Sequence, residues 1–123
     1  MIETVDITIG SLSLKMLAMC RYTYLSKNEQ GEVKWCHDCK TYHLTFNNMI
    51  MNFKSSAFHQ FKDNLNACYQ ANLNTDFDRD ERQILFNTRI DGLQLLFSVN
   101  EIGSFLSLMQ EATIESMFAE IGT

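Results

Sequence analysis

One apolar pattern occurs twice in this 123-residue chain, and it constrains the fold more than any other feature. The first copy reads Tyr42-His43-Leu44-Thr45-Phe46, then Asn47-Asn48, then Met49-Ile50-Met51-Asn52-Phe53. Apolar side chains recur with period two at 42, 44 and 46 and again at 49, 51 and 53, the spacing that puts them on one face of a strand. Asn tolerates the positive φ that a two-residue type I′ turn demands, so Asn47-Asn48 predicts a hairpin. The second copy reads Phe86-Asn87-Thr88-Arg89-Ile90, then Asp91-Gly92, then Leu93-Gln94-Leu95-Leu96-Phe97. Asp-Gly is the stronger of the two turn signals.

Each hairpin leads into a helix pattern. Phe58, Phe61 and Leu65 follow Phe53 at the same offsets at which Ile102, Phe105 and Met109 follow Phe97. Spacings of three and four residues lay each trio along one helix face. Ser55 or Ser56 is placed to cap the first helix, and Ser98 with Glu101 three residues on forms a capping box for the second. The expectation is an α+β fold of two tandem ββα units, with the hairpins paired edge to edge in one antiparallel sheet. Both helices then cover its apolar face and leave the other, mostly polar face, with His43, Thr45, Ile50, Asn52, Asn87, Arg89, Gln94 and Leu96, in water.

At this length the chain predicts a single domain: a cysteine-bearing hairpin at 17–40, a first unit at 41–70 and a second at 84–121. Residues 17–25 read as a strand, 27–32 as a turn and 33–36 as the returning strand, while residues 1–16 read as an edge strand or a tail. Asp76, Asp78, Asp80 and Glu81 in the connection between the units resemble the start of an EF-hand loop. The sixth loop position, which needs Gly, is Glu81, and the twelfth is Asn87, so calcium is rejected in favour of a solvated linker.

The last helix carries a second stripe. Ile114, Met117, Phe118 and Ile121 lie nearly opposite Ile102, Phe105, Met109 and Ala112 at about 100° per residue. Either the helix breaks near residues 111–113, or its final turns bury apolar surface against the rest of the chain or a protein partner. A homodimer through those four residues is the expected form of the latter.

Ten Lys and Arg against fifteen Asp and Glu give a net charge of −5. The basic residues are scattered, densest between Lys34 and Lys40, which argues against nucleic acid and anionic membrane as partners. Acids stand near the N-terminus where a signal peptide would carry Lys or Arg, and no run of apolar residues suffices to cross a bilayer. The expected compartment is the cytoplasm, where a close Cys pair more often binds metal or does redox chemistry than forms a structural disulfide. The chain lacks a Walker loop, a dinucleotide glycine run, HExxH and a Ser/His/Asp signature, which lowers the expectation of an enzyme.

Four cysteines carry the remaining chemistry. Cys36-His37-Asp38-Cys39 is a CxxC between two strand patterns, a spacing that lets a tight turn aim two thiolates at one ion. If residues 17–25 pair with 33–36, Cys20 falls opposite 36 or 37 and brings a third thiol. Zinc is the cofactor this pattern suggests, with Cys20, Cys36 and Cys39 as ligands and His37 or His43 as the fourth, or with the fourth position open as in catalytic sites. His43 lies some 13 Å along an extended strand from Cys39, at about 3.3 Å per residue, and would need a bulge to reach. Unmetallated thiols are the competing reading. A thioredoxin-type redox pair is disfavoured because its CxxC opens a helix. Cys68 falls on the first helix stripe as a small core residue, His59 beside it toward the polar side, and Trp35 reads as core.

Along Cys36-x-x-Cys39-x-x-Tyr42-His43-Leu44-Thr45-Phe46-Asn47-Asn48 the sequence resembles a family of short, uncharacterised bacterial proteins of the kind found in Bacteroidetes. The resemblance covers residues 20–110. It implies a small cytoplasmic domain and draws attention to His43, but it transfers no activity and no catalytic residue. The function expected is a non-catalytic binding or adaptor module with a structural metal knuckle. The alternative is a small metal- or thiol-dependent enzyme, which would need a concave site beside the CxxC.

Overall fold

The computed structural model describes residues 20–74, 76 and 78–119; the expectations for residues 1–16 and Ile121 fall outside them. In chain order the elements are β1 (Tyr22–Lys27), β2 (Gly31–Cys36), β3 (Thr41–Phe46), β4 (Met49–Phe53), α1 (Ser55–Ala71), β5 (Ile84–Asn87), β6 (Gln94–Phe97) and α2 (Val99–Phe118). The α+β class is as expected. The sheet is not continuous: β1-β2-β3-β4 form a four-stranded antiparallel meander, and β5-β6 form a separate two-stranded sheet.

In the meander the period-two pattern sorts side chains as elementary pleating requires. Val33, Trp35, Tyr42, Leu44 and Phe46 face inward and are buried, while Lys34, His43, Thr45 and Ile50 alternate on the other face. The β3–β4 register pairs Phe46 with Met49 and Tyr42 with Phe53. Asn47 adopts a positive φ of 54°, but Asn48 does not join it, so the turn departs from the type I′ form. Gly31 lets β2 lie close to β3: a Cβ there would stand 1.8 Å from the Thr45 carbonyl oxygen.

The second hairpin is shorter than its sequence pattern. Ile84 pairs with Phe97 and Phe86 with Leu95, and the chain from Thr88 to Leu93 is loop. Gly92 (φ 80°) bends it, and Thr88 holds it by donating its hydroxyl to the Leu93 carbonyl at 2.7 Å. Ile90 and Leu93, expected on strands, are therefore exposed loop residues.

Helix α2 packs across β1 and β2, α1 packs on β3 and β4, and the helices touch each other. Phe105 is the hub: it stacks on Phe46 at 4.3 Å and meets Phe61 at 5.6 Å and Phe97 at 5.9 Å between ring centroids. The Ser98–Glu101 capping box is present in both directions. On α1 the N-cap falls at Lys54, whose side chain makes no capping bond, so neither serine takes that position. Helix α2 runs unbroken to Phe118, which removes the first of the two alternatives, a break near residues 111–113. Met117 is 69% and Phe118 81% exposed, so that stripe is not buried against the described part of the chain.

Between β4, α1 and the β5–β6 hairpin lies a mainly apolar groove of about 580 Å³, lined by Met49, Met51, Phe53, Phe61, Phe86 and Leu95 among others.

Candidate metal centre

The β1–β2 ladder begins where Tyr22 pairs with Cys36. One further backbone bond, from the His37 N–H to the Arg21 carbonyl at 2.9 Å, continues the pairing past the strand ends. Cys20 therefore comes alongside the CxxC turn. That turn closes with the Lys40 N–H donating to the Cys36 carbonyl at 2.9 Å, and Lys40 sits in the left-handed region at φ 59°. The tight bend points the Cys39 N–H at the Cys36 sulphur, 3.3 Å away. Asp38 fastens the two strands from outside, accepting from the Arg21 N–H at 2.7 Å and from its guanidinium at 3.4 Å.

The sulphurs of Cys20, Cys36 and Cys39 all lie within 4.8 Å of one another, with Cys20 and Cys39 at 4.0 Å. A tetrahedral ion with metal–sulphur bonds of about 2.3 Å holds its sulphurs roughly 3.8 Å apart. A disulfide needs about 2.05 Å, so the observed spacing fits ligands around an ion far better than a bonded pair. Cys36 is buried, Cys20 intermediate and Cys39 exposed, so the cluster is anchored inside and opens outward.

Burial alone would push the Cys36 thiol up, yet hydrogen bonds from the Cys39 N–H and thiol, the Asp38 N–H and Cys20 hold it below the ordinary thiol range. Cys39 is pushed up to about 11, because its thiol donates to Cys36 and neighbours Cys20. Three adjacent thiols cannot all ionise against one another without a cation between them. The arrangement can therefore accept a thiophilic cation and release protons as it does so.

Neither histidine nitrogen belongs to the three-sulphur group. The His37 Nε2 is hydrogen-bonded to the Thr23 hydroxyl at 2.7 Å. His43 lies on the outer face of β3, paired in register with Lys34 and Asn52. Its pKa is pushed down by burial and then by Lys34.

Tyr22 is a neighbour that the sequence reading missed. Burial first, then the charge of Cys20 and Cys36 and a hydrogen bond with Cys20, raise its pKa to about 12. Its ring stands edge-on to His43 at 5.4 Å, with the Lys34 ammonium 4.4 Å from its centroid. Writing the β1–β2 register out residue by residue would have found it, since Tyr22 is the partner of Cys36. The other residues singled out are ordinary packing. Cys68 is partly buried against the core, and Trp35 is buried edge-on to Tyr42. His59, expected in solvent, is half-buried against Tyr42 and Phe58.

Neither the apolar groove nor the smaller cavity at the Thr88–Leu93 loop is lined by a cysteine of the cluster. No helix among the described residues is long and apolar enough to cross a membrane.

Fold and site together define a small α+β domain bearing a three-cysteine cluster able to hold a metal ion. The chain belongs to a family of unknown function (DUF6686), whose pattern matches residues 19–121 and so spans the whole cluster from Cys20 onward. No activity comes with that family, in keeping with the resemblance drawn from the CxxC segment. No curated protein and no solved structure matches the chain.

Proposed function

We propose that this protein is a non-catalytic binding module of a reducing, cytoplasmic compartment, its cysteine-bearing edge stabilised by zinc or a similarly thiophilic metal at Cys20, Cys36 and Cys39. One observation carries the reading: the sulphurs of Cys20 before β1, Cys36 at the end of β2 and Cys39 in the turn after it converge within 4.8 Å, with a backbone N–H already donating to the most buried of them. Such hydrogen bonds favour thiolate over thiol and are what a bound cation requires of its surroundings. A catalytic role is less well supported, because an enzyme needs a cavity with convergent polar groups beside the metal. The large groove is apolar and is lined by other residues.

The binding role draws support from α2, whose last turns present Ile114, Met117 and Phe118 to solvent. A second copy of the chain is the partner proposed there, since a two-fold interface joins one patch to itself. Elemental analysis and native mass spectrometry of the purified, reduced protein test both parts. The expected result is one zinc per chain, lost in Cys36→Ser, and a dimeric mass. Metal-free protein with all four thiols freely titratable would remove the metal reading, and a monomeric mass would remove the dimer.

A further inference from the structure

All four cysteines of the sequence lie among the described residues, so every pairing of thiols within one chain can be compared. Cys68 sits on α1, its sulphur 4.0 Å from the Asn72 amide, and does not belong to the three-sulphur group. Within that group the Cys20 and Cys39 sulphurs stand 4.0 Å apart.

The backbone already holds these two residues beside each other. Cys20 precedes Arg21, Cys39 follows Asp38, and Arg21 is tied to the CxxC turn. Its carbonyl accepts from the His37 N–H at 2.9 Å, and its own N–H donates to the Asp38 carboxylate at 2.7 Å. Its guanidinium donates to the same carboxylate at 3.4 Å. A sulphur–sulphur bond measures about 2.05 Å, so each sulphur has to travel only about 1 Å, which side-chain rotation supplies.

Exposure separates the three sulphurs as targets. Cys39 is exposed, Cys20 intermediate and Cys36 fully buried. A cation in the cluster keeps all three as thiolates, the form that reacts. Reach then decides which is attacked: a reagent from solvent meets Cys39 first, and Cys20 is the more accessible of its two neighbours.

We propose that Cys20 and Cys39 are an oxidation site, converted by a peroxide to a disulfide that expels the metal, since Cys36 alone then remains to hold it. The inference rests on the metal reading above. The Cys39 thiolate attacks one oxygen of hydrogen peroxide and the O–O bond breaks. Cys39 becomes a sulphenic acid, and the departing hydroxide takes a proton from solvent to leave as water. The Cys20 thiolate then attacks the Cys39 sulphur: the S–S bond forms, the S–O bond breaks, and a second hydroxide leaves as water. Two electrons pass from the sulphurs to the peroxide, and a dithiol returns them.

The test treats full-length, reduced, zinc-loaded protein with equimolar hydrogen peroxide. A metallochromic dye reads released zinc. Peptide mass mapping after alkylation in denaturant reads the disulfide, with fragmentation to separate Cys36 from Cys39. The expected result is one Cys20–Cys39 bond per zinc released, Cys36 and Cys68 alkylated, and zinc binding regained after dithiothreitol. Cys20→Ser should stop at the sulphenic acid, trapped on Cys39 by dimedone. A disulfide that includes Cys36 or Cys68 would overturn the proposal, as would zinc lost without a disulfide or thiols that survive the peroxide. Failure of the reduced protein to take up zinc would instead refute the metal reading. The same map on that metal-free protein still decides the pair, and any product other than Cys20–Cys39 would overturn it.

Discussion

Tyr42→Phe should make this protein more stable. Tyr42 is fully buried, and its hydroxyl finds no hydrogen-bond partner among the described residues. A buried polar group left unsatisfied costs about 1–3 kcal/mol relative to one in water. The ring itself is well placed, stacked on Phe58 at 4.1 Å and edge-on to Trp35 at 4.8 Å, and Phe keeps both contacts. Removing the oxygen leaves a void of roughly 10–15 Å³, worth about 0.3 kcal/mol at ~24 cal/mol per Å³. The net expectation is a gain near the lower end of the unsatisfied-group cost, about 1 kcal/mol. With a urea m-value of about 1.5–2 kcal/mol/M for a chain of this size, the midpoint should rise by roughly 0.5 M at unchanged slope. A loss of stability in the same titration would refute the reasoning, because it would mean the hydroxyl has a partner worth keeping.

Gly31→Ala should destabilise by about 3 kcal/mol or prevent folding, since the clash is with backbone atoms of Thr45 and Phe46 that no rotamer change relieves; a urea midpoint near the parent's would contradict this. The Glu101 carboxyl is held below the usual carboxylate range, chiefly by its hydrogen bonds from Arg82 and also by the Ser98 N–H, against an opposing effect of burial. Its contribution is therefore present above the unfolded pKa of about 4.3 and is lost as pH falls through the lower folded value, so Glu101→Gln should flatten the acid limb of stability measured between about pH 5 and 3. If the cluster holds metal, saturation at a thousandfold excess over Kd should add about 4 kcal/mol that a chelator removes. Cys36→Ser should lose that increment while differing far less from the parent once both are chelated; an equal deficit with and without metal would point to packing alone. Met117→Asp should yield a folded monomer, read by sedimentation and circular dichroism, and an unchanged oligomeric state would count against the α2 end as an interface.

Much of this molecule is local and therefore legible in one dimension. The alternation through Tyr42, Leu44 and Phe46 set the inward face of β3, and the Ser98–Glu101 box marked the start of α2. The stripe Ile102, Phe105, Met109, Ala112 marked its buried side. The convergence of Cys20 on the CxxC also followed from sequence, because a hairpin brings residues on its two strands together at a countable register. What could not be counted was how elements not joined by a tight turn would meet. The β5–β6 hairpin does not add to β4, and Met51, Phe53, Phe61, Phe86 and Leu95 line a groove between them. The reach of each histidine depends on what its ring already touches: Thr23 for His37, Tyr22 for His43. The three-sulphur cluster was thus written into the order of residues. Only the packed structure decided that Tyr22 stands beside it, with its ring against His43, because that outcome turns on side-chain direction and competing contacts rather than on spacing along the chain.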